Sequence, residues 1–407
     1  MSEITSSVKQ FLRRSEVALA LAIVVVVLLT LAFDPQRNYL RLPRLSAIDI
    51  LRDASILGMF ALGSAVVIIA GGIDLSCGSM IAFSGSICAT VMLMLAPDQL
   101  NSHGPLGMGV IAAGIIAAIV VGMLVGSLHA WLITVIGLPP FIATLATLVG
   151  LRSLARVVVL NVTEHASQID VGNPQFRYLS NSNWIPVLVF AVLAVGMWFL
   201  MSKTVVGRHL YALGGNEAAT RLSGIRTDRL KWLAYCLGAT LSSIAGVFYI
   251  ANEGSAAPEV MGNMAELNAI AAAVVGGCSL QGGAGTIPGT VLGCLFLRVV
   301  ADGIAKVIKS GADNYQGMIV GVVVVLAVAA QGSSQRKKFF AGGLGVVAIA
   351  ILTILAGLLG ALLGGRNVGL SSLATALVVL VACRVLESRR SAPRRPRDTE
   401  LSTEPES

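Results

Sequence analysis

Residues 54–97 read ASILGMFALGSAVVIIAGGIDLSCGSMIAFSGSICATVMLMLAP, an apolar stretch in which Asp74 is the only charged residue. There are 20 uncharged residues before Asp74 and 23 after it. A membrane-spanning helix needs about 20 predominantly apolar residues. The stretch is therefore long enough for two membrane spans, and we predict a break between them near Asp74.

The composition of the whole chain agrees with a membrane protein. Of its 407 residues, 56% are hydrophobic and only 12% are charged, and the mean hydropathy is +0.83. Soluble domains carry about 25% charged residues, and disordered chains are poor in hydrophobic residues. The composition excludes both classes, so we predict an all-α, multi-pass integral membrane protein.

The charge-free windows predict about ten transmembrane helices in a core, followed by an extra hairpin. The proline pair at 139–140 should divide the long 99–151 window, because proline removes a hydrogen-bond donor and restricts the residue before it. The glycine-rich stretch 276–285 should divide the 267–297 window and leave 267–280 as a half-helix. The windows are 17–33, 54–73, 75–97, 99–151, 178–202, 232–252, 267–297, 314–335, 339–365 and 367–383.

The distribution of basic residues predicts the orientation. Lys and Arg concentrate in cytoplasmic loops of membrane proteins, and here they cluster before the first window and in 202–231, 334–338 and 386–407. We therefore expect both termini in the cytoplasm and the chain in the inner (plasma) membrane. The arginines of 34–53 are an exception to this rule. The formal charge of +8 then reflects topology and lipid contact, so we expect no nucleic-acid partner.

Two glycine-containing segments, 71–78 and 276–283, share a GGxxLxxG pattern. Glycine-interrupted helices in two halves of a chain are a pointer to a transport pathway, although glycine-rich membrane helices also produce such matches by coincidence. We expect structural breaks at Gly71, Gly72, Pro139, Pro140, Gly276, Gly277, Gly282 and Gly283.

Asp74 is the candidate pathway residue with the clearest signal. A carboxylate at membrane depth is costly unless it faces a cavity or a partner. It could instead cap the next helix by satisfying free N–H groups, and the two roles are compatible. Ser76, Asn268 and Ser279 are further pathway candidates. Arg152 and Arg156 are expected to extend toward the outer interface, where their charges would be solvated, rather than to contact substrate.

The longest polar segment in the middle of the chain is 202–231. Asn216 is placed to cap a short helix over 217–222, and Gly224 is placed to end it. Such a helix suits docking on a partner, but composition alone favours an ordinary solvated connector.

Four motifs in order resemble those of sugar ABC-transporter permeases of the ribose/xylose/arabinose/galactose type, within the branched-chain amino acid/ribose permease superfamily. Residues 207–225 resemble the coupling-loop pattern G-R-x-x-Y-A-x-G-G-N-x-x-A-A-x-x-S-G-I. Residues 70–79, 138–145 and 266–285 resemble the GGIDLSVGS, PPFIxTL and ELxAIAAxVxGGTSLxGGxG segments. Cys77 and Cys278 depart from the usual Val and Thr of these motifs.

The resemblance implies a type II-importer-like permease that imports a monosaccharide, ribose-like or xylose-like. It implies a separate ABC ATPase subunit that holds ATP–Mg, an extracytoplasmic sugar-binding protein that delivers the solute, and a permease homodimer. The residues that it assigns to ATPase coupling are Gly207, Arg208, Tyr211, Gly214, Gly215, Asn216, Glu217, Ala219, Ser223 and Gly224.

The resemblance also suggests the domain organisation. The permease core would occupy 1–335, an extra transmembrane hairpin 336–388, and a charged, disordered cytoplasmic tail 389–407.

Enzymatic motifs are absent from the sequence. There is no GxxxxGK[ST] phosphate loop, no HExxH and no GxSxG, and the six cysteines form no CxxC pair. We therefore expect no catalytic residue, no metal site and no cofactor bound by this chain. The alternative function is a secondary transporter with its own ion-coupling site, which would normally need several intramembrane carboxylates.

Overall fold

The computed structural model describes residues 15–307 except 35, 103 and 183, together with 317, 321 and 325. The N-terminal basic cluster, most of the 314–335 window, the hairpin 336–388 and the tail 389–407 lie outside the described residues. Those predictions stay predictions.

The described part of the chain folds almost entirely into helices, joined by short turns. In chain order these are α1 (Ser15–Phe33), α2 (Asn38–Arg41), α3 (Pro43–Ile69), α4 (Cys77–Leu95), α5 (Pro97–Asn101), α6 (Met108–Thr134), α7 (Pro140–Val162), α8 (Pro174–Asn181), α9 (Ile185–Lys203), α10 (Val205–Gly215), α11 (Glu217–Leu222), α12 (Thr227–Glu253), α13 (Ala265–Val275) and α14 (Ile287–Val307).

Seven of these helices are long and apolar enough to cross a membrane, counted over the described residues: α3, α4, α6, α7, α9, α12 and α14. Two shorter apolar stretches, Leu19–Phe33 within α1 and the half-helix α13, accompany them. The prediction of a multi-pass helical membrane protein is therefore confirmed. The predicted total of about ten core helices stays a prediction.

Every predicted break falls between two helices or, for Pro140, at the first residue of a helix. The chain leaves α3 at Ile69 and enters α4 at Cys77, and it leaves α13 at Val275 and enters α14 at Ile287. Pro139 immediately precedes α7 and Pro140 is its first residue, where the missing N–H of proline costs nothing because it would have no partner in the helix.

The all-α prediction needs one small correction. Ile169–Asp170 (β1) and Ser255–Ala256 (β2) form a two-residue antiparallel ladder. The ladder joins the segment that follows α7 to the segment that follows α12. Pairing gives the backbone groups of these two non-helical segments partners within the protein.

Helix α3 lies at the centre of the bundle. Every residue from Ala54 to Ile69 is buried, and α12, α14, α13 and α9 pack around it. By contrast, fewer than a third of the residues in the most apolar windows of α6, α7 and α9 are buried. Their apolar outer faces fit contact with lipid, because a soluble helix would place polar residues there.

The contact between α3 and α12 depends on small residues. A Cβ on Gly63 would lie 2.9 Å from the Cα of Gly238. Membrane helices gain little from the hydrophobic effect against each other, so close backbone approach at small residues supplies much of their packing.

Candidate functional site

The 202–231 loop forms two short helices, α10 and α11. The side chain of Asn216 accepts a hydrogen bond from the Ala219 N–H at 2.9 Å, which caps α11. Gly224, just beyond the helix, has φ +81°, a conformation that glycine adopts without strain. The predicted short helix over 217–222 is therefore confirmed with its cap and its end.

One side of α11 is open to solvent. The Leu222 side chain is 90% exposed, and Ala218, Ala219 and Ser223 around it are also exposed. Glu217 pairs with Lys231 at 2.7 Å, and Arg221 pairs with Asp228 at 3.2 Å. Partly exposed pairs of this kind contribute little to stability, but they hold charged side chains to the rim of a small apolar surface.

Other residues of the loop face the helix bundle. Leu210 and Leu213 of α10 are buried in the core, and the Tyr211 hydroxyl donates to the Gly285 carbonyl at 2.8 Å. Burial raises the pKa of the Tyr211 phenol. Gly207 packs on the carbonyl oxygens of Leu200 and Met201, where α9 ends. Arg208, on the opposite side of α10, is exposed.

Two glycine turns meet each other and the end of α10. The Gly283 N–H donates to the Ile69 carbonyl at 2.9 Å. A Cβ on Gly282 would lie 2.8 Å from the Cα of Gly71, and a Cβ on Gly71 would lie 3.2 Å from the Cα of Gly214. The two GGxxLxxG segments are therefore in direct contact with each other and with the 202–231 loop.

Asp74 lies inside the bundle, halfway along α12, close to Gly238. Its side chain is buried, and its Oδ1 accepts hydrogen bonds from the N–H of Ser76 at 2.8 Å and from the Ser76 hydroxyl at 2.6 Å. Both residues thus organise the turn that leads into α4, but neither side chain caps the free N–H groups of α4 itself. Their role in the pathway stays a prediction.

A polar cavity of about 260 Å³ lies between the middle of α3 and of α14, the end of α12 and the start of α13. Two of its charged residues form an ion pair, in which the Asp53 carboxylate contacts the Arg298 guanidinium. The full lining is Asp53, Ile56, Leu57, Phe60, Tyr249, Asn252, Glu253, Gly262, Asn263, Ala265, Asn268, Leu297 and Arg298.

Of the four predicted pathway residues, only Asn268 lines this cavity. Ser279 instead holds the turn after α13, where its hydroxyl accepts from the Gln281 N–H at 3.2 Å. Sequence reasoning missed Asp53 and Arg298. A signal was available, since each directly borders a charge-free window, 54–73 or 267–297.

Arg152 reaches the turn that follows α12, and its extension toward the outer interface stays a prediction. Its guanidinium donates to the carbonyls of Pro258 and Met261 at 3.0 and 2.8 Å, and to Gly262 at 3.4 Å. Two of its nitrogens thus supply donors to three carbonyls of this turn, which adjoins the cavity at Gly262.

The chain matches the family model described as branched-chain amino acid transport system / permease component over residues 46–328. It is 33% identical to the ribose import permease protein RbsC of Escherichia coli K12, over 80% of this chain and 96% of that protein. It is 34% identical to the probable ABC transporter permease protein y4mJ of Sinorhizobium fredii, over 80% of this chain and 91% of that protein.

A further relative is the xylose transport system permease protein XylH of Escherichia coli K12, which is 26% identical over 79% of this chain and 93% of that protein. No solved structure matches the chain at a significant level. The match to the family model covers more than half of the chain and includes the four motifs noted in the sequence. The chain belongs to the branched-chain amino acid transport system permease family.

Proposed function

We propose that this chain is the membrane-spanning permease subunit of an ATP-driven ABC importer for a monosaccharide. The proposal rests on the similarity of this chain to proteins named ribose import permease and xylose transport system permease. The similarity covers nearly the full length of those two proteins. The family match supports a location in the inner membrane.

The partners of this subunit follow from the same similarity. A separate ABC ATPase holds ATP–Mg and contacts the exposed surface of α11, and an extracytoplasmic sugar-binding protein delivers the solute. Two copies of this chain form the pathway, and the termini and the 202–231 loop lie in the cytoplasm. The exposed Leu222 with its rim of charged residues supports docking of a protein at this loop.

The polar cavity is the place that we assign to the solute within this chain. Its amide and carboxyl groups can exchange hydrogen bonds with hydroxyl groups, and Phe60 offers an apolar surface to a sugar ring. Pairing of Asp53 with Arg298 neutralises both charges, which suits an uncharged solute better than an ion. A volume of about 260 Å³ also lies below the roughly 300–1,000 Å³ of sites for drug-sized ligands.

Reconstitution tests this function. The chain is purified with its ATPase subunit and its binding protein, placed in liposomes, and assayed for uptake of radiolabelled ribose and xylose. We expect uptake that requires ATP and the binding protein. Uptake that proceeds without the ATPase and follows a proton or sodium gradient would establish the secondary-transporter alternative instead.

Two variants on one helix test the assignment of the cavity. Asn268→Ala removes an amide that lines the cavity, whereas Leu267→Ala changes a side chain that is 49% exposed and is not part of the lining. We expect Asn268→Ala to raise the KM for uptake by roughly fivefold, as for one lost hydrogen bond, and Leu267→Ala to leave it unchanged. Equal KM values for the two variants would place the solute elsewhere.

A further inference from the structure

The contact of the two glycine turns with α10 has a mechanical consequence, because backbone atoms touch backbone atoms there with no side chain between them. Gly71 and Gly282 have φ values of +82° and +84° and place their Cα atoms against the neighbouring turn. The Gly283–Ile69 hydrogen bond then joins the two turns. Side chains can change rotamer to absorb a displacement, but a backbone-to-backbone contact cannot, since packed interiors have low compressibility.

Gly214 brings the 202–231 loop into this contact. A Cβ on Gly214 would overlap the Ile69 carbonyl oxygen and would lie 2.5 Å from the Gly283 nitrogen. Gly214 lies within α10 and has no left-handed backbone. Glycine is therefore required at this position because no room exists for a side chain, and not because of the backbone conformation.

The contact lies at the ends of two elements that line the polar cavity. Ile69 is the last residue of α3, which contributes Asp53 and Phe60 to the cavity. Gly282 and Gly283 follow α13, which contributes Asn268. At 1.5 Å per residue, α3 spans about 24 Å from Asp53 to Ile69. One wall of the cavity is therefore connected to the loop through a continuous helix, and the other through α13 and the turn that follows it.

We propose that Gly71, Gly214 and Gly282 form a backbone junction that transmits displacement of the α10–α11 loop to the two helices lining the cavity, with Gly214 as a positioning residue. This inference rests on the proposed function, since it requires a partner that moves the loop. It assigns the transmission to three named contacts on the inner side of the loop, away from the exposed surface of α11.

Gly214→Ala tests the junction in the complete transporter. The added methyl group must push α10 away from Ile69, while alanine is the better helix former at this position. Gly196→Ala in α9 is the matched control, because a Cβ there meets nothing within 4 Å. Three quantities are measured for each complex: co-purification of the ATPase, the rate of ATP hydrolysis, and the solute taken up per ATP.

We expect Gly214→Ala to keep its ATPase and to hydrolyse ATP, but to take up about fivefold less solute per ATP, at the lower end of couplings between distant sites. Gly196→Ala should match the parent transporter. A parental ratio of uptake to hydrolysis in Gly214→Ala would overturn the proposal.

Tyr211→Phe keeps the proposal testable if Gly214→Ala fails to assemble. It deletes only the hydroxyl that donates to Gly285, beside the junction. A reduced uptake per ATP with the ATPase still bound supports the junction, and a parental ratio overturns it. Failure of the unmodified complex to show ATP-dependent uptake would instead reject the proposed function, before any variant is compared.

Discussion

The carboxylate of Asp74 accepts two hydrogen bonds from Ser76, one from its N–H at 2.8 Å and one from its hydroxyl at 2.6 Å. Both residues are buried, and α4 begins at the next residue, Cys77. A turn of this kind satisfies polar groups that would otherwise be unpaired inside the bundle. The acceptor oxygen of Asp74 is therefore the feature on which the turn depends.

Asp74→Asn should be tolerated better than Asp74→Ala. Asparagine retains a side-chain oxygen that can accept from Ser76, whereas alanine leaves the turn without an acceptor and should lower the free energy of unfolding by about 1 kcal/mol. Thermal unfolding in detergent measures the difference. Equal stability of the two variants would show that the Ser76 hydrogen bonds contribute nothing.

The Asp74→Asn variant also tests whether ATP or an ion gradient drives transport. In an ATP-driven permease, Asp74→Asn should retain most of its ATP-dependent uptake, because the charge carries no coupling ion. Complete loss of uptake in a stable Asp74→Asn protein would favour an ion-coupled mechanism.

Asn216→Ala should loosen α11. Loss of an N-cap acceptor costs a helix about 1 kcal/mol, and six residues have little other support. We expect faster amide hydrogen exchange across Glu217–Leu222 and weaker retention of the ATPase subunit. Asn216→Asp, which keeps an acceptor at the cap, should behave like the parent. Unchanged exchange in Asn216→Ala would contradict the capping role.

Arg298→Gln should be more harmful than the double substitution Asp53→Asn with Arg298→Gln. The single variant leaves the Asp53 carboxylate with Arg52 as its only remaining ion-pair partner among the described residues, whereas the double variant removes both charges. The two side chains are 29% and 31% exposed, so solvent weakens the pair, and we expect a coupling of about 1 kcal/mol.

A double-mutant cycle in unfolding free energy measures this coupling, and the KM for uptake is recorded in parallel. Additive effects of Asp53→Asn and Arg298→Gln would show that the pair contributes nothing beyond its separate residues.

Gly63→Ala should destabilise the bundle, whereas Gly150→Ala should not. The methyl group at position 63 would press on the Gly238 backbone at 2.9 Å, and overpacking of this kind costs roughly 1–3 kcal/mol. At Gly150, in α7, a Cβ meets nothing within 4 Å. The measurement is the thermal unfolding midpoint of each variant, and similar midpoints would mean that α3 and α12 have room to separate.

The sequence by itself determined those features that depend on neighbours along the chain. The apolar windows located the membrane helices because hydrophobic length is a local property. The break at Pro139–Pro140 and the Asn216 cap were predictable for the same reason, since each acts on backbone groups within a few residues. The family motifs likewise extend over short continuous segments of the chain.

Tertiary structure alone decided which of these segments meet. Asp53 and Arg298 are 245 residues apart, and Arg152 binds carbonyls more than 100 residues away. No local pattern encodes such contacts, which result from packing whole helices together. The sequence predicted glycine breaks at Gly71 and Gly282, and it placed Gly214 in a loop. Only the packing of α3, α10 and α13 brings the three backbones together, because they can approach so closely only where side chains are absent.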